Sequence, residues 1–190
     1  MQKTTTPDSR KLPLSFDAAR LREDLRRVEP AEWVPHFNTS YYEGAWSAAS
    51  LRSVGGVATQ IFPDTTAKTP YADTPLLARC PHVAGALASF RCTLLSVRFL
   101  KLAPRSRIRE HSDYKLGYED GEVRLHVPVQ TCDAAEFYLA GRRVEMREGE
   151  CWYLNFNLPH RAENLGARDR VHLVVDCVVN DWLRARLAFD

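Results

Sequence analysis

"EHSDYKLGYEDGEVRLHVPV", residues 110–129, sets His111 and Asp113 one residue apart, just ahead of a run whose side chains alternate. In that run Val123, Leu125, Val127 and Val129 fall on one face, and Arg124 and His126 on the other. This is the period-two pattern of a β-strand. "RVHLVVDCVV", residues 170–179, repeats it, with Val171, Leu173, Val175, Cys177 and Val179 opposite Arg170, His172, Val174, Asp176 and Val178. The apolar faces belong against a core. The polar faces either meet water on an open sheet or line a lumen if the sheet closes into a barrel.

Working outward, short strands are expected near 92–102, 105–110, 122–131, 135–139, 142–146, 151–156 and 170–179. Turn signals separate them at Gly117, Asp120-Gly121, Ala140-Gly141, Glu148-Gly149, Pro159 and Asn164-Leu165-Gly166. Many short strands with such punctuation point to a mainly β sandwich or closed barrel. Upstream, residues 1–12 are polar, contain Pro7, lack periodicity and read as a loose tail. Residues 17–28 place Ala18, Leu21, Leu25 and Val28 at helical spacing, with Asp17 as N-cap and Pro30 as the stop. A strand is expected within 44–54, a long loop over 62–75, a short helix over 82–90 and a closing helix over 181–187. The whole chain, 1–190, reads as one domain with its β core at about 92–180.

The bulk properties exclude several classes. Apolar residues make up 45% of the 190 and charged residues 26%, with 26 basic against 24 acidic side chains and a net charge of +2. That balance gives no reason to expect a nucleic-acid or anionic-membrane partner. No stretch approaches the roughly 18 apolar residues of a membrane span, and "MQKTTTPDSRKLP" has no apolar signal region. Cys80, Cys92, Cys132, Cys151 and Cys177 are odd in number and scattered, without a C-x-x-C. A disulfide framework is therefore not expected, and a reducing cytoplasm fits. Oligomeric state is not legible.

His111 and Asp113 lie where a strand gives way to a loop, and on extended chain side chains two residues apart point the same way. The best third partner is His160, in "NFNLPHRAEN", 47 residues after Asp113 and just past an expected strand. Two imidazoles and one carboxylate make the facial triad of non-heme Fe(II), whose other face stays open to a cosubstrate and dioxygen. Taken alone, H-x-D recurs by chance; the spaced histidine gives it meaning. If a lumen holds a metal, an arginine beside it calls for a carboxylate, which guanidinium grips through two parallel bonds. 2-Oxoglutarate has a carboxylate at each end, and Arg170, ten residues after His160, is placed to take the far one.

His-Ser-Asp at 111–113, "RLHVPV" at 124–129, "LPH" ending at His160 and "DRVHLVVD" at 169–176 together resemble the aspartyl/asparaginyl β-hydroxylase family over roughly residues 92–180. The resemblance implies a double-stranded β-helix, or jelly roll, and an Fe(II)- and 2-oxoglutarate-dependent dioxygenase. It implies iron ligands at His111 and His160 and cosubstrate contacts from Arg124, His126 and Arg170. Two positions depart from the vertebrate members, which act on epidermal growth factor-like domains: they carry glycine where this chain has Asp113, and a cosubstrate-binding serine where it has Leu100. The retained carboxylate makes the chain more similar to bacterial small-molecule members such as free-proline hydroxylases. The expected substrate is an amino acid, a peptide side chain or a related metabolite. Arg98, Arg105, Arg107 and Arg109, with Tyr114, Lys115 and Tyr118, suggest a basic approach suited to an acidic one. The competing classes are a non-catalytic metal-binding cupin module and a cupin enzyme that does not use 2-oxoglutarate.

Overall fold

The computed structural model describes residues 7–64 and 66–187. In chain order the elements are β1 (Ser9–Ser15), α1 (Ala18–Leu25), β2 (Val34–Pro35), β3 (Tyr42–Glu43), β4 (Trp46–Val54), β5 (Tyr71–Asp73), α2 (Pro75–Ala78) and α3 (Pro81–Leu87). There follow β6 (Leu94–Leu102), β7 (Ser106–His111), β8 (Glu122–Gln130), β9 (Ala135–Leu139), β10 (Arg142–Arg143), β11 (Glu150–Leu154), β12 (His160–Asn164), β13 (Arg170–Val178) and α4 (Asp181–Leu187). Two antiparallel sheets result. The larger runs β1-β11-β8-β13-β6-β4-β2, with β5 on β4, and the smaller runs β10-β9-β12-β7-β3.

The two faces of β8 and β13 go where their alternation dictates. Val123, Leu125, Val127 and Val129 join Val171, Leu173, Val175 and Cys177 in a cluster with Leu21 of α1, Val83 and Leu87 of α3, and Leu183 and Leu187 of α4. The helices thus cover the outer face of the larger sheet, each buried aliphatic side chain contributing roughly 1.5–3 kcal/mol. Asp17 caps α1 as its sequence suggests, accepting from the amides of Ala19 at 2.9 Å and Arg20 at 3.2 Å. A second cluster joins the sheets across the lumen, through Trp46, Leu102 and Leu154 on one side and Ile108, Phe137 and Ala162 on the other. Arg124, His126 and Arg170 face that lumen. The jelly-roll expectation holds.

Several boundaries move. Residues 9–12 are not a loose tail: they pair with β11, and Leu12 is buried. Pro13 sits at the register shift between Leu12 and Ser15, in an edge strand, where a missing N–H is tolerated. The β core is therefore wider than 92–180, since β1, β2, β4 and β5 all join the larger sheet. The expected loop at 62–75 contains β5 and leads into α2. The strand expected at 142–146 shrinks to two residues, and that expected at 151–156 ends at Leu154. Gly149 fixes the junction of β1 and α1 against β8. Its φ is +81°, and a Cβ there would collide with the Phe16 carbonyl oxygen. Among the described residues no helix is long and apolar enough to cross a membrane.

Candidate metal centre and cavity

His160 opens a strand, β12, that hydrophobic patterning does not reveal. "HRAEN" is short and polar, and it pairs with β7 so that His160 lies directly opposite His111. The cross-strand register brings the two imidazoles together, with ring centroids 4.3 Å apart. Each ring is oriented by its own backbone: His111 Nδ1 lies 2.8 Å from the Arg109 carbonyl, and His160 Nδ1 lies 3.0 Å from the Leu158 carbonyl. A carbonyl only accepts, so Nδ1 carries the proton and the Nε2 lone pair is free, the tautomer a metal ligand needs. Asp113, just past β7, is held by its amide to the Phe156 carbonyl at 2.8 Å. One ligand atom from each of His111, Asp113 and His160 lies within 4.8 Å of the others. Burial lowers the pKa of His160 to about 4, so it is neutral at physiological pH. Two imidazole nitrogens and a carboxylate suit a divalent first-row metal.

Beside this cluster runs a chain of buried ions. Arg124 donates from Nε to Asp176 Oδ1 at 2.7 Å and from Nη2 to Asp176 Oδ2 at 3.2 Å, while its Nη1 donates to Asp113 Oδ2 at 2.8 Å. Arg98 donates to Asp176 Oδ2 at 2.8 Å. Burial alone would raise the pKa of Asp176; the two guanidiniums outweigh it and bring it to about 2. Arg124 thus orients the Asp113 carboxylate. Sequence reasoning missed Asp176 and Arg98 in these roles. The available signal was a single acid among valines on the lumen face of β13.

Deeper in the barrel the pattern changes. Arg170 is 4% exposed. Its guanidinium meets His172, Nη2 to Nδ1 at 3.4 Å, and its guanidinium carbon lies 5.9 Å from the centre of the Phe137 ring. It has no acidic partner among the described residues, and burial lowers its pKa to about 10. His126 and His172 meet through their Nδ1 atoms at 3.1 Å; burial, then Arg170, holds both far below their ordinary pKa. His126 Nε2 is buried without a partner. All these groups except His172 and Asp176 line one cavity of about 320 Å³ that also reaches His111, Asp113 and His160. Leu100, which also lines it, is paired in register with His172.

The cavity mouth is aromatic rather than arginine-rich. His36 and Trp46 stack with centroids 3.7 Å apart, and Tyr41 stacks on His111 at 4.8 Å. Phe37 is 68% exposed and Tyr114 is 85% exposed. Of the expected basic approach only Arg98 and Lys115 line the cavity; Arg107 and Arg109 pair with Glu43 instead. Tyr118 turns away and donates its amide to the Tyr153 hydroxyl.

A two-sheet β-helix with a His-x-Asp…His cluster at one end of its lumen and an unpaired arginine deeper within defines a class of metal-centred jelly rolls. The chain belongs to the aspartyl/asparaginyl beta-hydroxylase family, whose model matches residues 15–179, well beyond the 92–180 of the motif resemblance. It is 30% identical over 168 residues to the L-proline cis-4-hydroxylase of Rhizobium meliloti (strain 1021), covering 86% of this chain and 58% of that one. The chain therefore spans somewhat more than half the length of this relative. Among solved structures, a 2OG-Fe(II) oxygenase family oxidoreductase from Burkholderia pseudomallei shares the fold with a TM-score of 0.58 at 14% identity, covering 92% of this chain and 88% of that one. A Pseudomonas putida prolyl-4-hydroxylase does so with a TM-score of 0.54 at 15% identity, covering 91% and 93%.

Proposed function

We propose that the chain is an Fe(II)- and 2-oxoglutarate-dependent dioxygenase that hydroxylates a C–H bond of an amino acid, a peptide side chain or a related small metabolite. The observation that carries this reading is Arg170. A buried guanidinium without a counter-ion is costly, and it lies in the same cavity as a ready set of metal donors. A dianionic keto acid satisfies both ends. A metal-binding module, or a cupin enzyme without this cosubstrate, has no use for the unpaired cation.

In this reading His111, Asp113 and His160 hold Fe(II), and Arg124 keeps the Asp113 carboxylate turned toward it. Arg170 takes the far carboxylate of 2-oxoglutarate. His172 Nδ1 faces the Arg170 guanidinium, which only donates, so His126 donates from Nδ1 to His172 Nδ1 and its unpartnered Nε2 carries a lone pair beside the cosubstrate. When bound, Fe(II) would supply the dioxygen chemistry, with one oxygen atom of O2 ending in succinate as CO2 is lost and the other in the hydroxylated substrate. The protein contributes position, charge and a cavity walled by Leu100, Ile108, Phe137 and Phe156, which keeps bulk water from the reacting centre. A cytoplasmic setting is consistent with five free thiols, and a free small-molecule substrate with the named relative. The test is 2-oxoglutarate binding to the anaerobic Fe(II) protein, followed by succinate release with a panel of amino acids headed by L-proline. No binding at saturating Fe(II) sinks the reading.

A further inference from the structure

Glu122 stands apart from the rest of the inner wall. On the lumen face of β8 the order toward the deep end is Glu122, Arg124, His126. Alongside, β13 sets Val178 opposite Glu122, Asp176 opposite Arg124 and Val174 opposite His126. Arg98, Arg124, Asp176 and Asp113 are tied to one another. Glu122 is only partly buried and lines the cavity, yet its carboxylate has no hydrogen-bond or ion-pair partner among the described residues. Burial and the neighbouring Asp176 carboxylate both raise its pKa. It is therefore a carboxylate at the cavity mouth that lacks a cation.

The charges of the filled site show what is missing. Arg98, Arg124 and Arg170 set against Asp113 and Asp176 leave one positive charge on the inner wall. A ferrous ion and a 2-oxoglutarate dianion cancel each other. What remains for a substrate is a cationic surplus shared by Arg98, Arg124 and Lys115, which also lines the cavity, and one free carboxylate at Glu122. A molecule that matches carries an anionic group and, a few ångströms away, a protonated amine. The aromatic rings at the mouth suit a compact apolar body between them, and their faces also favour a cation.

We propose that Glu122 binds the protonated amine of the substrate, so that the site selects amino acids with a free primary or secondary amine over N-acylated or peptide-bonded ones. This inference rests on the cosubstrate reading above. Backbone amides carry no charge, so a peptide would leave Glu122 buried under it without a partner, an unfavourable outcome for any ionised group removed from water.

The experiment uses the anaerobic protein loaded with Fe(II) and 2-oxoglutarate, titrated by calorimetry with matched free and N-acetylated L-amino acids, beginning with L-proline and N-acetyl-L-proline. The wild type binds a free amino acid at least roughly ten-fold more tightly than its N-acetyl form, the lower end for a charge-assisted bond. Glu122→Gln removes that preference by weakening the free form alone, and Glu122→Asp retains part of it. The proposal is overturned if Glu122→Gln keeps the wild-type preference, or if the wild type binds both forms equally. It is also overturned if no free amino acid binds a protein that does bind 2-oxoglutarate. These three outcomes leave the cosubstrate reading intact. Failure to bind 2-oxoglutarate removes that reading, and this proposal with it.

Discussion

Replacing Arg170 by methionine should move stability and cosubstrate affinity in opposite directions. Burial alone brings the Arg170 pKa to about 10. The drop from an ordinary arginine corresponds to roughly 3 kcal/mol of penalty, present in full at neutral pH because the group is still charged well below its folded pKa. Methionine fills similar volume without the charge. The substitution should therefore stabilise the cosubstrate-free protein by about 2 kcal/mol, within the range seen when buried ions give way to apolar groups. For a chain of this size that is roughly 4–8 °C in Tm. The same change should weaken 2-oxoglutarate by roughly ten- to more than hundred-fold, the worth of one or two charge-assisted bonds, with Arg170→Lys in between because it keeps charge but loses the fork. The assay is a thermal melt of the anaerobic Fe(II) protein with and without 2-oxoglutarate, beside a titration of the metal-to-ligand absorption band. Ligand at 100 times its Kd adds about 2.7 kcal/mol to the wild type, and at the same concentration that increment should fall to about 1.4 kcal/mol or less in the methionine variant. Wild-type 2-oxoglutarate affinity in Arg170→Met would refute the assignment and make Arg124 the next candidate.

Asp113→Ala should lower Fe(II) affinity, and Arg124→Gln should lower it by roughly 10–100-fold by releasing the Asp113 carboxylate; anaerobic Fe(II) titration reads both, and unchanged affinity for Arg124→Gln would show the contact to be incidental. Asp176→Asn should cost about 3–5 kcal/mol in urea unfolding, because it strands the buried Arg98 guanidinium and leaves Arg124 with Asp113 alone. Asp176 is held at about 2 in the fold, below its ordinary 3.8; its contribution is full above the unfolded value and lost as pH falls toward the folded one. The stability gap between wild type and Asp176→Asn should therefore narrow from pH 5 to pH 2, and a constant gap would contradict this. Leu12→Ala should cost about 2–4 kcal/mol if β1 is part of the packed sheet, whereas a loose tail would show no change in the same unfolding curves.

The legible part of the protein was the part written in side-chain alternation and in short polar motifs. Val123 to Val129 and Val171 to Cys177 mark an apolar face on each of two inner strands, and period two follows from strand geometry whatever the partner strand is. The Asp17 cap and the helical spacing behind it are equally local. His111 and Asp113 could be paired from sequence because two extended residues share a face, and His160 could be nominated from its place after a strand. β1, β2, β3, β5 and β12 escaped, since a two- to seven-residue polar or proline-containing segment owes its conformation to the neighbour it bonds to, not to its own pattern.

Only the tertiary structure decided what the lumen charges do. Arg124 and Arg170 look alike in sequence: each is an arginine on the polar face of a buried strand, two residues from a histidine. Strand order makes them different. β8 next to β13, and β13 next to β6, put Asp176 between Arg124 and Arg98, so Arg124 is neutralised and turned toward Asp113. Arg170, six residues from Asp176 along the same strand, is left in an apolar setting with no acid partner among the described residues. Glu122 is left at the mouth with no ion-pair partner among them. Coulombic partnership depends on distances of a few ångströms between strands far apart in the chain, and a one-dimensional pattern contains no such distances. The period of the side chains chose which groups face inward; the register of three neighbouring strands chose which of them stay unpaired and open to a ligand.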